Sequence, residues 1–321
     1  MATQTGITID GPNKPEPLQQ HSGLLINEWP AIIGSDCAAV VIAVGPDCQK
    51  LSPGDYVYGC APLGQNRFTP FQETFLVEEK VFLKKSPNLS IEETCTIGVG
   101  ILTAGLCLLG GAELELSEDG TKAPAKDEWI VVLGGTGSVG QFAIAHVCGY
   151  KVLASCSPSK ESIAQVAKEN GAIATFNSRG SVEEQLADIK KITGGNFARI
   201  VDSTAYGYEI MVKALETCST ATTKYLMSVD DWSEFKTPPT IKEYRAELGH
   251  LCRLDEALGI EVTKDIARWI PTFETHLATG TIKPTQYQVA DGMGWETVIQ
   301  GIQDLEDGKA LKKIVARVQK E

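Results

Sequence analysis

Three of the four glycines in the stretch WIVVLGGTGSVGQFAIAHV at residues 129–147, Gly135, Gly137 and Gly140, are set in a pattern. Their G-x-G-x-x-G spacing suits a diphosphate held against the backbone. It supplies a tight turn, a residue without a side chain to obstruct the phosphates, and close packing of the next helix on the preceding strand. The flanks fit the same chemistry. Residues 130–133 form a continuous apolar run suited to a strand buried on both faces, and a helix opening near Ser138 would turn unpaired amides toward an anion. Alone, the glycine pattern also describes an ordinary strand-to-helix turn; between this strand and this helix it predicts a bound nucleotide.

The tip of the following strand bears on which nucleotide. A carboxylate about 20 residues beyond the glycines normally accepts the ribose hydroxyls of NAD. Here KVLAS runs into CSPSK, and Ser157, Ser159 and Lys160 stand where Asp or Glu would. Two hydroxyls and an ammonium suit a 2′-phosphate, so the expected cofactor is NADPH rather than NADH. Ser157 and Pro158 also read as the cap and first residue of the helix ESIAQVAKENGA.

Metal and thiol chemistry find no comparable pattern. The nine cysteines are scattered without a C-x-x-C pair, which points to neither a zinc ribbon nor a redox dithiol. The four histidines, His21, His146, His250 and His276, stand in no ligand-like motif, and His146 reads as a surface or packing residue of the helix after the glycine turn. No metal site is expected.

The elements that must position these residues follow from the rest of the chain. Its 321 residues, 43% hydrophobic and 22% charged, suffice for two domains of a globular enzyme. A net charge of −12 argues against nucleic acid or an anionic membrane as a partner, because both would repel the mean surface. The start, MATQTGITIDGPNKPEP, has no basic or apolar leader character, and no apolar run reaches membrane-spanning length. A cytoplasmic protein is expected.

Residues 1 to about 28 are polar and proline-rich and read as a loose arm. SDCAAVVIAVG, GDYVYGC and FQETFLVEEKVFLKK then form short strand-like runs of a compact antiparallel unit. SPNLSIEETCTIGVGILTAGLCLL reads as one or two helices, and ELSEDGTKAPAKDE as a solvated loop. From Trp129 onward strands alternate with amphipathic helices, which predicts a doubly wound parallel sheet. The tail contributes a helix, an extended TQYQV, another helix and a closing strand KKIVARV that is expected to return to the first domain.

PAIIGSDCAAVVIAVG, LSPGDYVYG, PFQETFLVEEKVFLKKSPNLSIEET, TIGVGILTAG, VVLGGTGSVGQFAIA and LEDGKALKKIV occur in an order that resembles the medium-chain dehydrogenase/reductase superfamily, from about Pro30 to the C-terminus. Within it the chain is most similar to the zinc-free fungal branch, which includes trans-acting enoyl reductases and secondary-metabolite dehydrogenases. The resemblance implies an α/β fold: a GroES-like β-rich domain over residues 1–95, completed by 282–321, and a Rossmann-type cofactor domain over 96–281. Zinc-dependent relatives carry Gly-His-Glu where this chain has Gly34, Ser35 and Asp36, so the ligating imidazole is missing.

The same resemblance implies NADPH-dependent reduction of a conjugated C=C in fungal secondary metabolism. The substrate would be a small-molecule or carrier-bound enoyl compound, a polyketide synthase a partner, and the enzyme a monomer or homodimer. Gly135, Thr136, Gly137, Ser138, Val139 and Gly140 would hold the pyrophosphate, and Ser157, Ser159 and Lys160 the adenosine phosphate. Met227 and Ser228 would lie near the nicotinamide, and Gly98, Gly100 and Thr103 would line the substrate pocket, with Thr103 either a hydroxyl donor or bonded within its helix. Ser178 stands near the adenine ribose where relatives often place a tyrosine. The motifs name no general acid. Relatives begin with a strand pair and an Asn-Pro segment for which residues 1–29 show no counterpart, so the first domain is expected to be N-terminally incomplete. Alcohol or quinone oxidoreduction on the same scaffold, and weak activity with cofactor binding retained, are the alternatives.

Overall fold

The computed structural model describes residues 8–9, 25–26, 29–143, 147–158, 161–310 and 312–319. The chain forms two compact units: Met1–Val99, Gly249–Thr263 and Pro284–Glu321 make the first, and Gly100–Leu248 with Lys264–Lys283 the second.

In the first unit, β1 (Thr8–Ile9) pairs antiparallel with β2 (Ala31–Ile32). The arm expected to be loose therefore contributes a short strand. Its partner β2 is fixed from another direction by Asn66, whose Oδ1 accepts from the Ile32 amide at 2.6 Å and whose Nδ2 donates to the Pro30 carbonyl at 2.9 Å. β3 (Asp36–Val40), β4 (Tyr56–Cys60) and β5 (Leu83–Lys84) form an antiparallel sheet with β4 in the middle. Val57, Tyr58, Phe82 and Leu83 are buried there, so the apolar residues of GDYVYGC and KVFLK become core. α1 (Ile91–Thr94) is fixed by a capping box: Ser90 Oγ accepts from the Glu93 amide, and the Glu93 carboxylate accepts from the Ser90 amide.

α2 (Gly98–Gly105) leads into one wide helical turn over Leu106–Gly111. Its residues from Gly100 on belong to the second unit. That unit is built on a six-stranded, all-parallel sheet of β6 (Trp129–Leu133), β7 (Lys151–Cys156), β8 (Ala174–Asn177), β9 (Phe197–Asp202), β10 (Lys224–Ser228) and β11 (Ile241–Arg245). The spatial order is β8-β7-β6-β9-β10-β11. After β6 the chain winds outward through β7 and β8, then crosses back to place β9 on the other side of β6. That reversal opens a crevice outside the carboxyl ends of β6 and β9, where such sheets bind ligands.

The crossovers are α3 (Ser138–Ala143), α4 (Glu161–Glu169), α5 (Val182–Thr193) and α6 (Tyr208–Thr217); α7 (Ala257–Thr279) joins this unit from Lys264 on. Val131, Leu153, Ile189, Ile200, Met211 and Leu226 pack into the core and are fully buried. Continuous apolar strands covered by amphipathic helices account for that burial. Residues 115–128 have no regular structure, as expected, yet they are tethered. The Ala123 and Lys126 amides donate to the Val147 and Gly149 carbonyls at 2.8 Å, and His276 Nε2 lies 2.9 Å from the Ser117 carbonyl.

The closing segment returns to the first unit. β12 (Tyr287–Val289) pairs parallel with β13 (Lys313–Val315), with α8 (Trp295–Glu306) between them. Gly249–Thr263, which the sequence assigned to the cofactor domain, also belongs to the first unit. The reason is Arg253: almost buried at 6% exposure, its guanidinium donates to the carbonyls of Leu25 at 2.5 Å and Leu63 at 3.2 Å, and Nε to that of Gly249 at 3.2 Å. Three separate stretches converge on one cation, a pairing no local pattern announces.

Candidate functional site

The turn between β6 and α3 stands at the mouth of the crevice, and its glycines divide the labour. Gly134 has φ +74°, and a Cβ there would fall 2.4 Å from Thr204 Cγ2. A Cβ on Gly135 would meet that of Ala154 at 2.6 Å, and one on Gly140 would lie 2.1 Å from the Gly134 carbonyl oxygen. These residues are glycine because backbone and neighbours leave no room. Gly137 differs: it is exposed, and a Cβ would meet only the Gly134 oxygen at an ordinary 3.4 Å.

Neighbouring strands hold the turn. Ser155 on β7 is buried; its Oγ accepts from the Gly134 amide at 2.9 Å and its carbonyl from the Gly135 amide at 3.0 Å. After β9, Ser203 Oγ donates to the Leu133 carbonyl at 2.7 Å and lies 3.1 Å from that of Gly134. Asp202, 1% exposed, shapes that segment by accepting from the Thr204 amide at 2.8 Å, the Thr204 hydroxyl at 2.6 Å and the Gly207 amide at 2.8 Å. Sequence reasoning missed Ser155, Asp202, Ser203 and Thr204. The available signal was ARIVDST, an apolar strand ending in an acid and two hydroxyls.

The turn suits an anion by what it leaves unused. Among the described residues the amides of Thr136, Ser138 and Val139 donate to no protein acceptor, and Ser138 Oγ is buried without a partner. Unpaired donors at the start of a helix are a fitting environment for a diphosphate, and the space beside Gly137 is what a Cβ would fill.

The other singled-out residues are distributed as follows. Ser157 is half-buried just beyond the tip of β7, next to the glycine turn's strand; Ser159, Lys160 and His146 lie outside the described residues. Ser178 is exposed, and its amide donates to the Cys156 carbonyl at 3.0 Å, beside the end of β7. Met227 and Ser228 end β10 and are fully buried; Ser228 Oγ accepts from the Asp230 amide at 3.0 Å. In the first unit, Gly98 is pressed against the Gly59 carbonyl and Asp36, whose Oδ1 accepts from the Val99 amide at 2.6 Å and whose other oxygen pairs with Lys313. In the second, a Cβ on Gly100 would lie 2.8 Å from the Phe142 ring and 2.9 Å from Ser138 Oγ. Thr103 is 6% exposed and its hydroxyl donates to no acceptor among the described residues, so it is not spent on a helix carbonyl.

Burial quiets the thiols. It raises Cys107 to about 12 and Cys148 to about 11, and raises Cys156 at the tip of β7 as well. No group of three His, Cys, Asp or Glu side chains that could hold a metal stands together among the described residues, and no helix there is long and apolar enough to cross a membrane.

Comparison with known proteins places this arrangement. No family model matches the chain. A trans-enoyl reductase of Fusarium sp. (strain FN080326) is 30% identical over 319 residues, covering 89% of this chain and 83% of the relative. The chain is a fungal trans-enoyl reductase family member. The family is one of oxidoreductases. The enoyl reductase component of the lovastatin nonaketide synthase of Aspergillus terreus is 31% identical over 168 residues, 49% of this chain and 44% of that one. Among solved structures, an alcohol dehydrogenase superfamily protein from Novosphingobium aromaticivorans superposes with a TM-score of 0.70 at 18% identity, covering 98% of this trans-enoyl reductase family chain and 87% of its own. That likeness confirms the GroES-like plus Rossmann-type fold.

Proposed function

We propose that this chain reduces the carbon–carbon double bond of an α,β-unsaturated thioester with NADPH, acting in trans on intermediates carried by a fungal polyketide synthase. Its membership among trans-enoyl reductases is the observation that carries the reading. The relative named as a component of a nonaketide synthase supports the partner. The unpartnered amides of Thr136, Ser138 and Val139 support the cofactor site, since they can bind the diphosphate without a side chain in the way.

The dinucleotide, when bound, supplies a hydride to the β carbon of the substrate. The protein's own residues position and polarise. Gly135, Gly137 and Gly140 let the backbone surround the diphosphate; Ser157, Ser159 and Lys160 favour a 2′-phosphate and hence NADPH; Met227 and Ser228 end the strand toward the nicotinamide. Thr103, its hydroxyl uncommitted, donates to the oxygen that gains charge as the hydride arrives, with Gly98 and Gly100 setting the backbone around it. Turnover needs no zinc: Gly34, Ser35 and Asp36 replace a ligating motif, and Asp36 is already engaged by Val99 and Lys313. Cysteines held as free thiols fit a cytoplasmic setting.

The test is NADPH oxidation by the purified chain against enoyl thioesters, quinones and aldehydes, with NADH in parallel and with chelator present. Enoyl turnover that survives chelation supports the proposal. Turnover confined to quinones or aldehydes would replace it with the alcohol and quinone chemistry of the same superfamily, and stoichiometric zinc lost together with activity would overturn metal independence.

A further inference from the structure

Gln141, in the first turn of α3, is polar yet only 7% exposed. Its Nε2 donates to the Thr136 carbonyl at 3.0 Å, and its Oε1 accepts from Asn170 Nδ2 at 3.3 Å. Asn170 also donates from Nδ2 to the Val166 carbonyl at 2.9 Å, which fixes its side chain at the end of α4. A buried carboxamide is costly unless its donor and acceptor are both used, and an apolar side chain of similar volume would fill this place without that cost.

The peptide that Gln141 holds is the one between Thr136 and Gly137. Its carbonyl is bound by Gln141, and its N–H donates to the Gly134 carbonyl at 3.0 Å. Both ends of one peptide plane are thereby fixed at a glycine, where the backbone would otherwise turn over most easily. The unpartnered amides of Thr136 and Ser138 flank that plane, so its orientation sets theirs. Asn170 in turn decides which way the Gln141 carboxamide faces, because its N–H can meet only the oxygen. α4, which ends at this contact, begins just beyond Ser157 and Pro158.

We infer that Gln141, oriented by Asn170, is a positioning residue that locks the glycine turn in its diphosphate-binding form and ties that turn to the helix beside the 2′-phosphate residues. The inference rests on the proposed cofactor site and adds to it a cause for the turn's rigidity. It acts on the diphosphate and not on the adenosine phosphate, which provides its test.

The experiment measures binding of 2′-phospho-ADP-ribose and of 2′-AMP by calorimetry, together with amide hydrogen exchange of the unliganded turn, in the full chain and in Gln141→Leu, Asn170→Ala and the double variant. Gln141→Leu should weaken 2′-phospho-ADP-ribose by roughly tenfold, the scale of one lost hydrogen bond, while 2′-AMP changes by less than about twofold. Exchange at residues 136–138 should quicken. Asn170→Ala should show a smaller loss of the same kind, and the double variant should bind no worse than Gln141→Leu, because the two side chains act in series. Unchanged exchange and affinity in Gln141→Leu would overturn the inference, as would equal losses for both ligands, which mark general loosening. If Gln141→Leu does not fold, Asn170→Ala, altered only at a helix end, decides by the same two measurements. Failure of the unaltered chain to bind either ligand would overturn the cofactor site itself and this role with it.

Discussion

Gly137 and Gly140 lie on one turn with opposite obligations, and substitution by alanine separates them. At Gly140 the added carbon meets the Gly134 carbonyl at 2.1 Å and the Gly135 Cα at 2.9 Å, both backbone atoms with nowhere to move. Gly140→Ala should therefore cost about 2–3 kcal/mol or more of stability, seen as a large drop in melting temperature. Gly137→Ala meets nothing closer than 3.4 Å, so melting should hardly change while dinucleotide affinity falls in titration. An unaltered affinity would separate Gly137 from the ligand. His276 links stability to pH. It is fully buried, with Nε2 on the Ser117 carbonyl and Nδ1 2.7 Å from Thr281 Oγ1. Burial lowers its pKa below the usual 6.5, against opposing contributions from the Ser117 carbonyl and the Asp119 charge. The unfolded chain thus takes up the proton first. Its contribution to stability is complete above about pH 6.5 and declines as pH falls toward the lower folded value. A melting series between about pH 7 and 5 should show this slope, and His276→Gln should flatten it.

Among the elements, the tie between β3, the start of α2 and β13 depends on one carboxylate. Asp36 accepts from the Val99 amide and pairs with Lys313, each side chain of the pair about one-fifth exposed at 21%. Asp36→Ala should cost about 1–2 kcal/mol, below the full worth of charged hydrogen bonds because solvent reaches the pair, and Asp36→Asn should cost less because an acceptor for Val99 survives. Equal melting temperatures for the three chains would show the tie to be idle. This contact also marks where reading the sequence stops. Residues 129–143 and the alternating elements after them were legible because apolar period and glycine spacing are local properties. The pairing of Thr8–Ile9 with Ala31–Ile32, two residues long, has no periodicity to detect. Arg253 draws Gly249–Thr263 into the first unit through carbonyls at Leu25 and Leu63, far away in sequence. At the candidate site the glycine turn announced itself, whereas Ser155 and Ser203, which hold it, come from strands whose adjacency only the sheet order reveals.

At the scale of the whole molecule, a net charge of −12 opposes every anionic cofactor, and NADPH carries more negative charge than NADH. A preference for NADPH must then come from short-range contacts strong enough to exceed that field. The proposed ones are Ser157, Ser159 and Lys160, and the ammonium is the only cation among them. Salt distinguishes the two effects, since it screens the long-range repulsion that both cofactors feel and also weakens the charge-assisted contact proposed for the 2′-phosphate. NADPH should therefore bind about tenfold more tightly than NADH at low ionic strength, and the gap should narrow as salt rises while NADH itself binds no worse. Lys160→Ala should remove most of the gap and its salt dependence, leaving NADH affinity unchanged. Fluorescence titration of both cofactors in both chains at two ionic strengths measures each quantity. Equal affinities at low salt in the unaltered chain would mean that the serine-lysine tip does not select the phosphate, and that the field of the acidic surface prevails.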